Sequence, residues 1–88
     1  MKQPNFEETR KSRKARTAKR QGTYDALLQL LVAAREEMGL TQRKVSKMMD
    51  RSPNFMTKCE SGERSIDVME LMELALIYHK PVGHFFPS

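Results

Sequence analysis

The sequence predicts an all-α fold, and three observations carry that expectation. Leu27, Leu30, Leu31, Ala34 and Met38 recur at steps of three and four residues, the spacing of one buried helix face. Apolar residues make up 39% of the chain, led by leucine and methionine, which suit helices better than strands. The four glycines and four prolines fall mostly between the periodic segments, where helices stop. Eighty-eight residues make one small domain with a modest core, which a second subunit would enlarge.

The first helix is expected over Thr23–Met38. Thr23 can cap it, Asp25 suits the positive end of its dipole, and Gly39 fits a left-handed residue just past its end. A short second helix follows from Thr41 or Gln42 to Met49, with Val45, Met48 and Met49 on one side and Arg43 and Lys47 on the other. Asp50-Arg51 form a tight connection. A third helix is expected to start at Ser52, with Pro53 in its first position, where a missing N–H costs nothing. At 100° per residue, Met56 and Cys59 face inward, and Asn54, Thr57, Lys58 and Ser61 fall opposite them. A helix this short holds only when packed on something.

Gly62 makes a turn, and Asp67 opens the fourth helix with Glu70 three residues later, a capping box. Its expected buried stripe is Val68, Leu71, Met72, Leu74, Ala75 and Tyr78. Lys80-Pro81 ends it, and Val82–Phe86 form a last short helix or turn.

Charge divides the chain in two. Residues 1–22 carry eight Lys/Arg against two Glu, giving +6, whereas residues 23–88 carry eight against nine Asp/Glu, giving −1. Seven of the basic residues lie within Arg10–Arg20 without an apolar face. Residues 1–22 are therefore expected to be a basic flexible arm, disordered or transiently helical when free. Such an arm either lies along phosphates or merely solubilises the chain. The expected division is an arm over residues 1–22 and a folded domain over residues 23–88.

Several function classes drop out. No apolar run approaches the roughly 20 residues of a membrane span, and the N-terminus lacks a signal peptide's apolar centre, so a cytoplasmic protein without a membrane role is expected. One cysteine and two histidines offer no plausible metal site, and no cofactor is expected. No nucleophile triad, phosphate loop or paired carboxylates can be assembled, which speaks against an enzyme. Cys59 reads as a small buried hydrophobe.

Short helices joined by tight turns, with a polar outward face on the third, suggest a helix-turn-helix. The run "GLTQRKVSKMMDRSPNFMTKCESGER" resembles the XRE family, the DNA-binding domains related to phage Cro and repressor proteins. Gly39, Leu40, Thr41, Gln42, Val45, Met49, Met56, Glu60, Gly62 and Arg64 fit that family's pattern without a gap, and the likeness covers roughly residues 23–86. Ser46 replaces the usual small Ala, Asp50 the common turn Gly, Arg51 the usual Val and Ile66 a frequent Pro.

The resemblance implies a five-helix, repressor-like domain that binds double-stranded DNA, usually as a homodimer on a palindromic operator. It places Pro53, Asn54, Thr57 and Lys58 at base edges: Asn can pair with adenine, Lys favours guanine, and the Thr methyl can touch thymine. It places Gln42, assisted by Arg43 and Lys44, on a phosphate, with Ser61 and Arg64 as further phosphate contacts. Phe55 is grouped with these, lying against the sugar-phosphate backbone or else packing over the second helix. The family pairing implies a salt bridge between Arg35 and Glu60. A small core and two phenylalanines at the tail suggest a dimer contact through Val82, Phe85 or Phe86. The expected function is transcriptional regulation, as a repressor. The alternative is an antitoxin-like partner of another protein, whose DNA binding serves autoregulation.

Overall fold

The computed structural model describes the backbone of residues 6–87 and the side chains of residues 21–87. Four α-helices and one 3-10 turn follow one another: α1 (Phe6–Glu37), α2 (Gln42–Met48), α3 (Phe55–Glu60), α4 (Val68–Ile77) and the turn Val82–Phe85. The fold is all-helical, with no strand among the described residues. No helix among them is long and apolar enough to cross a membrane.

Each helix stops at a left-handed residue. Gly39 has φ +69°, Asp50 +57°, Gly62 +83° and His79 +55°. After α1, the Gly39 N–H donates to Glu36 O and the Leu40 N–H to Arg35 O; after α2, Asp50 and Arg51 repeat the pattern on Lys47 O and Ser46 O. These paired bonds satisfy carbonyls that the helix ends would otherwise leave open. Asp50 tolerates this conformation better than most side chains. Thr41 caps α2 by accepting the Lys44 N–H, and Asp67 and Glu70 form the reciprocal capping box of α4.

Four features differ from the sequence expectation. First, α1 begins at Phe6 instead of Thr23, so residues 6–22, expected as a flexible arm, continue a helix already formed. Extending a packed helix avoids the cost of nucleation, and Arg, Lys, Glu and Ala are good helix formers. Residues 1–5 and the side chains of residues 6–20 lie outside the described residues. Second, α3 starts at Phe55, because Ser52–Phe55 is a turn with Pro53 and Asn54 at its centre. The Phe55 N–H donates to Ser52 O, and the Ser52 hydroxyl bonds Asn54 Oδ1 instead of capping the helix. Third, Val68 and Met72 of α4, Met48 of α2 and Met38 at the end of α1 are exposed. Fourth, Phe85, expected at a dimer contact, is fully buried.

The core gathers Leu28, Leu31 and Ala34 from α1, Val45 and Met49 from α2, Phe55, Met56 and Cys59 from α3, Leu71, Leu74, Ala75 and Tyr78 from α4 and its cap, and Phe85. Phe85 faces inward because the 3-10 turn packs on both α1 and α4. The Tyr24 hydroxyl accepts the Ile66 N–H at 3.1 Å, tying α1 to the segment before α4.

One buried polar contact fixes α3 on α2. Ser46 is fully buried; its hydroxyl donates to Gln42 O at 2.9 Å and accepts the Met56 N–H at 3.0 Å. The first turn of a helix has N–H groups without partners in the helix, and Ser46 supplies one of them from a neighbouring helix. Ser46→Ala should leave the Met56 N–H buried and unpaired, costing about 1–3 kcal/mol. Urea unfolding would measure this. A loss well below 1 kcal/mol would mean that water or a backbone shift replaces the hydroxyl.

Candidate nucleic-acid interface

Residues 41–58, spanning α2, the turn and α3, hold five Lys/Arg (Arg43, Lys44, Lys47, Arg51 and Lys58) against one acid, Asp50, a local charge of +4. The rest of residues 23–88 therefore sums to −5. The body is polarised although its total charge is near zero.

The outward side of this basic segment carries Pro53, Asn54, Thr57 and Lys58, and Ser61 follows just past α3, all exposed. Met56 and Cys59 on the opposite side are fully buried. Burial raises the Cys59 thiol above its ordinary range, as suits an inert core side chain. Ser52 occupies Oδ1 of Asn54, leaving its NH2 group to face outward partners. Lys58, Arg43 and Lys44 are exposed and form no ion pair among the described residues. Ser61 turns its hydroxyl onto Lys58 O at 3.0 Å.

A chain of polar contacts supports this face from beneath. Arg35 on α1 donates from Nε to Glu60 Oε2 at 2.7 Å and from Nη2 to Glu60 Oε1 at 3.1 Å, a two-pronged ion pair tying α1 to the end of α3. A third donor, Nη1, reaches Leu40 O at 2.9 Å. The Glu60 contact, foremost, makes Arg35 hold its proton more tightly. Glu60 Oε1 also accepts from Gln42 Nε2 at 2.8 Å, and Gln42 Oε1 accepts from the Thr57 hydroxyl at 3.0 Å. The half-buried Gln42, expected on a phosphate, is thus bonded at both ends of its amide, with one N–H still unassigned. Thr57, exposed, has spent its hydroxyl proton on Gln42.

A second cluster closes the other flank. Glu70 is only 2% exposed. Its carboxylate receives Arg64 Nη1 at 2.8 Å and Nη2 at 2.9 Å, Arg51 Nη2 at 2.9 Å, and the Asp67 N–H at 3.0 Å. Both guanidiniums also sit over the Phe55 ring, at 5.0 Å for Arg51 and 4.8 Å for Arg64. Phe55 is therefore no phosphate contact: it is 5% exposed, roofed by two cations. Arg64 is committed first to Glu70, although its side chain remains partly exposed.

Sequence reasoning missed Arg51 as a partner of this cluster. The signal was present: an Arg where the family pattern has an apolar residue, facing a helix whose capping Glu needs a counter-charge. Of the expected dimer residues, Val82 and Phe86 are exposed and Phe85 is interior.

Arg64 foremost, with the Asp67 N–H and the charge of Arg51 acting the same way, holds the Glu70 carboxyl below the usual range. A depressed carboxyl adds stability that is complete above its unfolded pKa of about 4.3 and is lost as pH falls through the folded value. Glu70→Gln should cost roughly 1–3 kcal/mol at neutral pH and flatten the decline in stability below pH ~5. Urea midpoints across pH 3–7 check this. An equally steep decline in the variant would assign acid sensitivity to other carboxylates.

In comparisons with known proteins, no family model, curated protein or solved structure matches the chain.

Proposed function

We propose that this chain is a helix-turn-helix protein that binds double-stranded DNA sequence-specifically and regulates transcription, as a repressor acting as a dimer on a palindromic operator. In this reading α2 and α3 form the helix-turn-helix, and α3 enters the major groove. The observation that carries it is the exposed set of Asn54, at the cap of α3, and Thr57 and Lys58, on a helix locked from behind, in a segment of local charge +4. The likeness of residues 39–64 to the XRE pattern supports the same reading.

The division of labour follows from which donors are free. Asn54 can offer its amide to adenine and Lys58 its ammonium to guanine, while the Thr57 methyl and the Pro53 ring supply apolar contact. Arg43 and Lys44, free at the start of α2, reach phosphates, and the spare N–H of Gln42 joins them. Arg51 is paired with Glu70 at 2.9 Å and stays partly exposed at the edge of that cluster. The basic run Arg10–Arg20 adds attraction to phosphates regardless of sequence.

Asn54→Ala or Lys58→Ala should cost about 1–3 kcal/mol on the preferred operator and relax preference at one position per half-site. Arg43→Ala should weaken operator and scrambled duplex alike, because phosphates carry no sequence. Binding curves on both duplexes at one salt concentration separate the two effects. Equal losses on both for Asn54→Ala and Lys58→Ala would remove this face as a reader of bases.

If about four charges of the N-terminal segment reach phosphates, deleting residues 1–21 should shrink the slope of log affinity against log salt by roughly 3.6. An unchanged slope would make the segment a passive tail.

A further inference from the structure

Four apolar side chains on α4 face solvent: Val68 is 73% exposed, Met69 65%, Met72 48% and Leu76 78%. Single exposed apolar residues are ordinary, but Val68, Met72 and Leu76 are spaced by four and form one row along the helix. At 100° per residue the row lies about a quarter turn or more round the helix from Leu71 and Leu74, which with Ala75 carry α4 onto the core. Of the α4 side chains turned to solvent, only Glu73 is charged. Together the four expose on the order of 450 Å² of apolar surface, about half of what one partner contributes to a standard interface. An apolar patch of this size is as large as the largest on most monomers, and such patches are often functional.

We propose that this row is where a second copy of the chain docks, through an antiparallel α4–α4 contact about a two-fold axis at Met72. The spacing argues for the copy. Val68 and Leu76 lie four residues either side of Met72, so a two-fold through Met72 sets each Val68 on the other copy's Leu76 and each Met72 on its twin. The row is thus complementary to itself, and a different partner would have to carry its own matching row. Charge argues the same way. The basic residues Arg43, Lys44, Lys47 and Lys58 lie on α2 and α3, off the row, so the one like charge near the axis is Glu73, beside the row and not within it. Val82 and Phe86, beyond α4, are also exposed, whereas Phe85 is committed to the core. The proposal deepens the dimer included in the functional reading above, but it needs no DNA to be tested.

The test uses the full chain. Cys59 is the only cysteine and is buried, so an introduced surface thiol reports alone. Sedimentation equilibrium should show a dimer. Mild oxidation of Met72→Cys should link two chains, because the two-fold brings its Cβ atoms within disulfide reach. Leu76→Cys alone should link poorly, yet a mixture of Val68→Cys and Leu76→Cys chains should form mixed dimers. Met72→Glu with Leu76→Glu should raise the dimer Kd roughly 100-fold through apposed like charges, with the far-ultraviolet helix signal unchanged. Met72→Glu alone serves as the milder variant if the double one unfolds.

A monomeric unsubstituted chain at the highest attainable concentration overturns the proposal. So does a dimer that Phe86→Cys links and Met72→Cys does not, or one that survives both glutamates. Failure of a chain that dimerises through Met72 to bind any duplex would refute the DNA reading and leave this contact standing.

Discussion

The hydroxyl of Ser46 is the contact on which the presented surface depends. α3 has six residues, too few to hold its shape in water. It exists because Met56 and Cys59 are driven into the core and because a buried oxygen on α2 accepts the Met56 N–H. That bond fixes where along α2 the third helix begins. The Schellman turn at Asp50 fixes the angle between the two, and every outward side chain of α3 inherits its direction from them.

Two ionic clusters then hold the helix at either side. At one, Glu60 collects Arg35 and Gln42, so that α1, the start of α2 and the end of α3 share one carboxylate. At the other, Glu70 collects Arg64 and Arg51 over the Phe55 ring. Removing either carboxylate would leave guanidiniums without their counter-charge, so the clusters specify position more than they add net stability. Part of the face is left free by this arrangement: Lys58 and the Asn54 amide N–H groups are not drawn into it, whereas Gln42 and Thr57 are.

Local rules made much of this legible in the sequence. Gly39, Asp50 and the Asp67/Glu70 box follow from the chemistry of helix ends, and Met56 and Cys59 follow from helical periodicity. The Arg35–Glu60 contact came from family resemblance alone, since nothing in the spacing of residues 25 apart reveals it. Side chains whose fate depends on a distant element were misread or left open. For Phe55 the sequence leaves a choice between the DNA backbone and packing over the second helix, and what decides for the interior, Arg51 and Arg64 over its ring, comes from outside α3. Val68 and Met72 looked buried because periodicity cannot say how wide a strip of α4 the core can cover. With Leu71, Leu74, Ala75 and Tyr78 already filling it, the small core covers only a narrow one. Residues 6–22 were judged by their repulsion, while their helix propensity and the packed helix following them weighed more.

The central claim is that the locked face of α3 reads base pairs. Selecting bound duplexes from a random-sequence pool with the full chain tests it most directly. The account predicts enrichment of one two-fold-symmetric site whose half-sites lie about one DNA turn, roughly 34 Å, apart. It also predicts that the enriched base pairs change when the pool is selected with Asn54→Ala or Lys58→Ala. A pool that stays random, or an enriched site indifferent to both substitutions, would contradict it.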